Sequence, residues 1–279
     1  MNKRTIGVLG FAGFVAATVG TALAIQFGVP DAGAHPYVGI VVFYDANGLP
    51  LWRCSGTQIS PTVFLTAAHC TTAPAAQARI WFDPEPAQLF AKEYPWPGFP
   101  ADPTGALPTL ADAGGVPVPH PNFDESAPLG GNTSDVGVVE LSAPRAGPYA
   151  TVAGVGTLDA LAALRGRQGT TFTVVGYGFQ SVKPKLGTAT QRRAATVTLV
   201  NLRNAIAGGF NLQHTNSPGL GHGAGGACIG DSGGPVLLAG TDVVVAVTSF
   251  GFNDLCVGVG FAYRVDTAYA HDFLDDFGP

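Results

Sequence analysis

Cys228-Ile-Gly-Asp-Ser-Gly-Gly-Pro235 sets one serine, Ser232, in a run of glycines. Two segments upstream supply what a nucleophilic hydroxyl needs beside it. Leu65-Thr-Ala-Ala-His-Cys70 carries His69, and Ser134-Asp-Val-Gly-Val-Val-Glu-Leu141 carries Asp135. A serine attacks only when a base takes its proton, a carboxylate orients that base, and backbone donors hold the oxyanion. The order His, Asp, Ser offers a candidate for each part. The glycines have their own reason: a tight turn must aim the N–H groups of Gly230 and Ser232 at one point, with no side chain in the way.

Composition bounds the rest of the chain. With 279 residues it is long enough for one large all-β unit or two smaller ones. Its 39 glycines and 22 prolines stay just below the ~25–30% at which disorder becomes the better reading. A content of 46% hydrophobic residues points to a folded core. Only 12% of residues are charged and the net charge is −5, so no basic field exists to hold a phosphate backbone and nucleic acid is not an expected partner.

Met1-Asn-Lys-Arg4 is a short basic stretch, followed by an apolar, glycine- and alanine-rich run from Ile6 to Ile25. Residues 1–34 read as a secretory signal, with cleavage after Ala24 or Ala34, and the mature chain as one domain from 35 to 279. An uncleaved membrane anchor is the alternative, since about 20 apolar residues span a bilayer. After cleavage the protein is expected to be extracellular, monomeric and free of stable membrane association. Cys54, Cys70, Cys228 and Cys256 are an even set in an exported chain and suggest two disulfides, with three pairings open. No C-x-x-C or histidine spacing suggests a metal, and no cofactor is expected.

Apolar runs recur between turn signals: Tyr37 to Tyr44, Val63 to Ala67, Ala78 to Phe82, Val136 to Leu141, Thr171 to Tyr177, Ala194 to Val200, Val243 to Phe250 and Gly260 to Val265. Short strands of this kind predict a sandwich or barrel. Helical spacing is clear only at the C-terminus, where Asp266 or Thr267 can cap a helix carrying Tyr269, Phe273, Leu274 and Phe277. A shorter helical piece is expected near Leu158 to Leu164. Seven prolines between Asp83 and Pro108 keep that stretch out of any central strand, and it reads as a long surface loop.

Taken together, Thr66-Ala-Ala-His-Cys70, Asp135 with its apolar strand, Gly230-Asp-Ser-Gly-Gly-Pro235 and Ser249-Phe-Gly251 resemble the trypsin-like, or chymotrypsin-fold, serine peptidases. Gly176-Tyr-Gly178 stands where that family usually has Gly-Trp-Gly. The resemblance implies two six-stranded antiparallel β-barrels with the active site between them and a short C-terminal helix. It implies a triad of His69, Asp135 and Ser232, an oxyanion hole from the N–H groups of Gly230 and Ser232, and disulfides Cys54–Cys70 and Cys228–Cys256. It also places Gly226 at the floor of the primary pocket, Gly251 and Gly260 on its walls, and Ser249 beside the triad aspartate. A pocket with no carboxylate at its floor offers nothing against the desolvation of arginine or lysine. Large apolar or aromatic side chains are therefore the expected choice in a protein or peptide substrate, with Asp254 near the rim as a possible attraction for cations. His120 is expected in a structural surface turn, and Asn132 in a turn.

The departure from the family is at activation. The resemblance implies that Asp231 receives a freed N-terminus at an Ile-Val-Gly-Gly sequence, which this chain lacks. Asp231 then needs another processed terminus or an arginine. Two other functions compete: a binding protein on an inactive peptidase scaffold, and an esterase built on Gly230-x-Ser-x-Gly234. The second is disfavoured because the alternation of strand and helix that a parallel sheet demands is missing.

Overall fold

A computed structural model describes residues 25, 27–85, 111–163, 169–179, 191–216 and 225–278. The basic and apolar leader and most of the proline-rich stretch lie outside the described residues. The chain runs β1 (Val29–Pro30), β2 (Val38–Tyr44), β3 (Pro50–Gln58), β4 (Val63–Thr66), α1 (Ala68–Thr71), β5 (Gln77–Trp81), β6 (Ala113–Pro119) and β7 (Gly137–Leu141). It continues through β8 (Thr151–Val152), α2 (Thr157–Ala163), β9 (Thr171–Gly176), β10 (Arg193–Asn201), β11 (Asn211–Thr215), β12 (Pro235–Leu238), β13 (Val243–Gly251), β14 (Val259–Arg264) and α3 (Ala268–Asp275).

The first barrel closes in the order β2-β3-β4-β7-β6-β5. The second closes as β9-β10-β11-β14-β13-β12, because β9 pairs antiparallel with both β10 and β12. These are the two antiparallel barrels and the closing helix that the resemblance implies. β1 pairs with the start of β10, and β8 joins β13 in parallel.

Side chains alternate across a strand, and β2 shows what that does here. Val41 and Phe43 point into the first barrel's own core with Phe64, Ile80 and Val139. Val38, Ile40, Val42 and Tyr44 belong instead to a core shared between the barrels, with Val175, Val247 and Tyr263. The second barrel fills with Phe172, Val197, Val236 and Ala262. Helix α3 is capped by the Thr267 hydroxyl, which accepts from the Ala270 N–H, and it buries Ala270, Phe273 and Leu274 against the shared core. The two barrels are thus fused by apolar packing along the line where a cleft opens.

Residues ahead of β2 are part of the fold. Ile25 is buried, and Asp31 accepts from the Nε of the fully buried Arg192 at 2.7 Å. The Arg192 Nη1 donates to the carbonyls of Val38 and Phe82, both at 2.9 Å. His35 bonds to Asp31 through its backbone N–H and its ring. These contacts draw the segment before residue 35 onto the junction of the barrels. No helix among the described residues is long and apolar enough to cross a membrane.

Candidate active site

His69 sits in the single turn α1, which is too short to hold itself. The Cys54–Cys70 disulfide ties it to β3, and the Trp52 indole N–H donates to the Cys70 carbonyl at 2.8 Å. Asp135 lies just ahead of β7. The preceding Ser134 adopts a left-handed φ of 52°, steadied by its N–H donating to the Asn132 side-chain oxygen. That oxygen also accepts from the Tyr263 hydroxyl, so Asn132 acts as a turn brace.

The two meet across the cleft. The Asp135 Oδ2 is 2.9 Å from His69 Nδ1, and its Oδ1 accepts the His69 backbone N–H at 2.9 Å. The Ser249 hydroxyl donates to Oδ2 at 2.5 Å. Burial opposes charge on Asp135, yet the imidazolium, its bonds and Ser249 outweigh burial and hold the carboxyl below its ordinary range. For His69 burial likewise opposes charge, and Asp135, with a smaller contribution from Glu125, raises it above the usual histidine value. An aspartate bonded at Nδ1 fixes the tautomer and leaves Nε2 as the base.

Ser232 lies in a turn held from both barrels. The Ser55 N–H of β3 donates to the Ser232 carbonyl at 2.9 Å, and the Ser55 hydroxyl donates to the Gly230 carbonyl at 3.0 Å. Gly230 and Gly233 have φ of 94° and 75°, and a Cβ on Gly233 would stand 2.0 Å from the Thr66 hydroxyl oxygen, so only glycine fits there. The N–H groups of Asp231, Gly233 and Gly234 donate to the carbonyls of Cys228, Thr248 and Asp231. Among the described residues, those of Gly230 and Ser232 have no such partner. His69 and Ser232 are not hydrogen-bonded to each other among the described residues.

Asp231 faces inward. It accepts from the N–H groups of Gly178 at 2.6 Å and Cys228 at 2.8 Å. Burial pushes its pKa up to about 7 against these bonds and against the charge of Arg53. The Arg53 guanidinium lies over the Phe179 ring, 5.1 Å from its centroid.

Two adjoining clefts share Ser249 and Phe250. One has His69 and Asp135 in its lining, with Phe123, Pro128 and Leu129. The other has Ser232, Gly251, Asp254 and Gly260. Gly226 is not in that lining. A Cβ on Gly226 would stand 2.2 Å from the Asn216 side-chain oxygen, so Asn216 packs directly against Gly226. Nor does Gly260 have space behind it, since a Cβ there would meet the His214 ring at 2.7 Å. The Cys228–Cys256 disulfide joins the serine turn to this cleft.

His120 is not on the surface as expected: it is buried, stacks on Tyr269 with centroids 4.7 Å apart, and accepts the Asn122 N–H. Burial lowers its pKa. Cys54, His69 and Cys70 are close enough for a metal, but both sulfurs are bonded to each other. β11 (Asn-Leu-Gln-His-Thr) has no apolar alternation to mark it as a strand, so the sequence gives His214 no role beyond its lack of metal-ligand spacing and does not single out the following Asn216.

Paired six-stranded barrels with a serine turn and a histidine–aspartate pair at their junction define a chymotrypsin-type architecture. The trypsin family model matches residues 112–271, more than half of the sequence, and the chain belongs to that family. The match takes in Asp135 and Ser232 and begins after His69. Among solved structures, HL collagenase is 16% identical with a TM-score of 0.62, over 91% of this chain and 98% of that one. Human heparin binding protein is 17% identical with a TM-score of 0.58, over 90% and 96%. No curated protein sequence matches the chain.

Proposed function

We propose that the protein is a secreted, monomeric serine endopeptidase. His69 Nε2 takes the Ser232 proton as Oγ attacks the peptide carbonyl. The N–H groups of Gly230 and Ser232 then receive the oxyanion, a contribution of roughly 3–4 kcal/mol per donor in sites of this kind. His69 passes its proton to the leaving amine, and water hydrolyses the acyl-Ser232 ester by the same path in reverse. Asp135 keeps Nδ1 protonated and stabilises the imidazolium, while Ser249 keeps Asp135 in place. The observation that carries this reading is the Asp135 carboxylate held between His69 Nδ1 and the Ser249 hydroxyl, with Ser249 also lining the cleft that contains Ser232.

Two disulfides suit an oxidising compartment. The Asp31–Arg192 pair supports cleavage of the signal after Ala24, because a cut after Ala34 would strip a fully buried guanidinium of its carboxylate. Among the described residues that line the pocket, Asp254 is the only carboxylate and it is exposed, which supports large uncharged side chains before the scissile bond.

The scaffold reading has one point in its favour, a structural neighbour named for binding heparin. A net charge of −5 gives a polyanion no field to follow. Fluorophosphonate labelling separates the two readings. The wild-type protein labels stoichiometrically and Ser232→Ala does not. Folded wild-type protein that fails to label would establish the scaffold reading instead.

A further inference from the structure

The cleft on the His69 side of Ser249 holds about 260 Å³ and adjoins the one that contains Ser232, with Ser249 and Phe250 lining both. Phe123, Pro128, Leu129 and Phe250 give it an apolar lining, and Leu129 is 65% exposed, so this surface is open to a substrate. Two carboxylates line it as well, those of Asp135 and Glu125. Asp135 is buried and committed to His69 and Ser249. Glu125 is exposed, and no cation of the chain pairs with it among the described residues. Neither cleft has a lysine or arginine among its described lining residues.

The segment that carries Glu125 is held at several points. The Asp124 N–H donates to the Thr133 carbonyl at 3.0 Å, and the Asp124 carboxylate accepts the N–H and the hydroxyl of Ser126 at 2.9 and 2.6 Å. Farther along, a Cβ on Gly130 would stand 2.2 Å from the Ala205 carbonyl oxygen, so the segment packs directly against the connection from β10 to β11. Glu125 is near enough to the base that its charge adds to that of Asp135 in raising His69. A peptide with one side chain beside Ser232 that continues across Ser249 and Phe250 lays its next side chains along an apolar wall with a carboxylate in it. Lysine and arginine match that arrangement, because they bury a methylene stem on apolar surface while the charged head stays in water. An uncharged aliphatic chain would use the wall and leave Glu125 unmatched. A carboxylate would be repelled.

We propose that the cleft on the His69 side selects a lysine or arginine side chain a short way before the primary residue of the substrate, and that Glu125 is the specificity-determining residue. This rests on the peptidase reading above and goes beyond it: the primary pocket takes a large uncharged side chain, and a basic one is read farther from the scissile bond. An exposed pair of carboxylate and ammonium groups corresponds to about fivefold at most in a rate constant, and salt weakens it.

The test uses the full secreted protein, its concentration of active sites fixed by fluorophosphonate titration. Matched peptides keep Phe before the scissile bond and carry Lys, norleucine or Glu at the second, third or fourth position before it. Norleucine repeats the stem of lysine without the ammonium group. At one of these positions Lys is expected to exceed norleucine about fivefold in kcat/KM at low salt, with Glu the poorest, and the advantage is expected to shrink toward unity at about 1 M salt. In Glu125→Gln the ratio of Lys to norleucine is expected to fall to unity, and in Glu125→Lys the order of Lys and Glu is expected to reverse, which a merely structural role for Glu125 would not produce. Lys no better than norleucine at all three positions in the wild type would overturn the proposal without recourse to a variant. A Lys preference that persists undiminished in both variants or at high salt would overturn it too. Binding to Ser232→Ala, followed by fluorescence anisotropy, repeats the comparison without turnover, and equal affinities for the Lys and norleucine peptides there would contradict the role of Glu125. A protein that does not titrate but still binds the Lys peptide more tightly, and loses that preference in Glu125→Gln, would overturn the peptidase reading and leave the assignment of Glu125 standing.

Discussion

Asp135 and Asp231 are both buried on either side of Ser232, and their surroundings drive them in opposite directions. Asp135 has an imidazole on one edge and a serine hydroxyl on the other, and is held below the ordinary carboxylate range. Asp231 accepts two backbone N–H bonds with Arg53 as the charge acting on it, and burial drives it up to about 7. Carboxylates pushed apart in this way are suited to separate tasks. In the proposed mechanism the first keeps its charge so that His69 can become charged. The second accepts the N–H groups of Gly178 and Cys228 and so holds the turn that, in the proposed mechanism, carries the oxyanion donors.

The largest effect that can break this comparison is at Asp135. Asp135→Asn is expected to lower kcat by about 10⁴-fold, because an amide presents the wrong hydrogen to Nδ1 and no charge to the imidazolium. Stopped assays on titrated enzyme would measure it, and a loss below tenfold would refute the role assigned to Asp135.

The pH profile is the next discriminator. The base must be neutral to act, and Asp135 raises His69 above 6.5, so kcat/KM is expected to rise with pH on an acid limb centred above 6.5. A limb centred well below that value would mean that Asp135 does not act on His69 as the geometry indicates.

The smallest effect concerns stability. Asp231 is raised from 3.8 to about 7, so between these values the folded protein keeps a proton that the unfolded chain has lost. Its contribution to stability is present at low pH and is lost as pH rises toward 7. Urea unfolding at several pH values should therefore show a steeper decline from pH 4 to 7 for wild type than for Asp231→Asn. Parallel curves would show that Asp231 is ionised throughout, its charge met by Arg53.

Strands with apolar faces were legible in the sequence. β2, β4, β5, β7, β9, β10, β13 and β14 all fall on the runs that predict them, and α3 begins at the Thr267 cap. β3 escaped because its inner end is Ser55, Gly56, Thr57 and Gln58, polar residues buried at the junction of the barrels and bonded there. β6 contains Gly114, Gly115 and Pro117, and β12 is only four residues long. The triad segments could be read because each motif carries its chemistry locally. The surroundings of Asn216 could not be read: its amide meets the carbonyls of Ala227 and Cys256, which arrive from elsewhere in the fold.

The most direct measurement is cleavage of a denatured protein substrate, with the reaction quenched in acid and the enzyme's own peptides analysed by mass spectrometry. An acyl group on the peptide bearing Ser232, transient in wild type and absent from Ser232→Ala together with all cleavage, is the predicted result. Cleavage that persists undiminished in Ser232→Ala would contradict the assignment of Ser232 as the nucleophile.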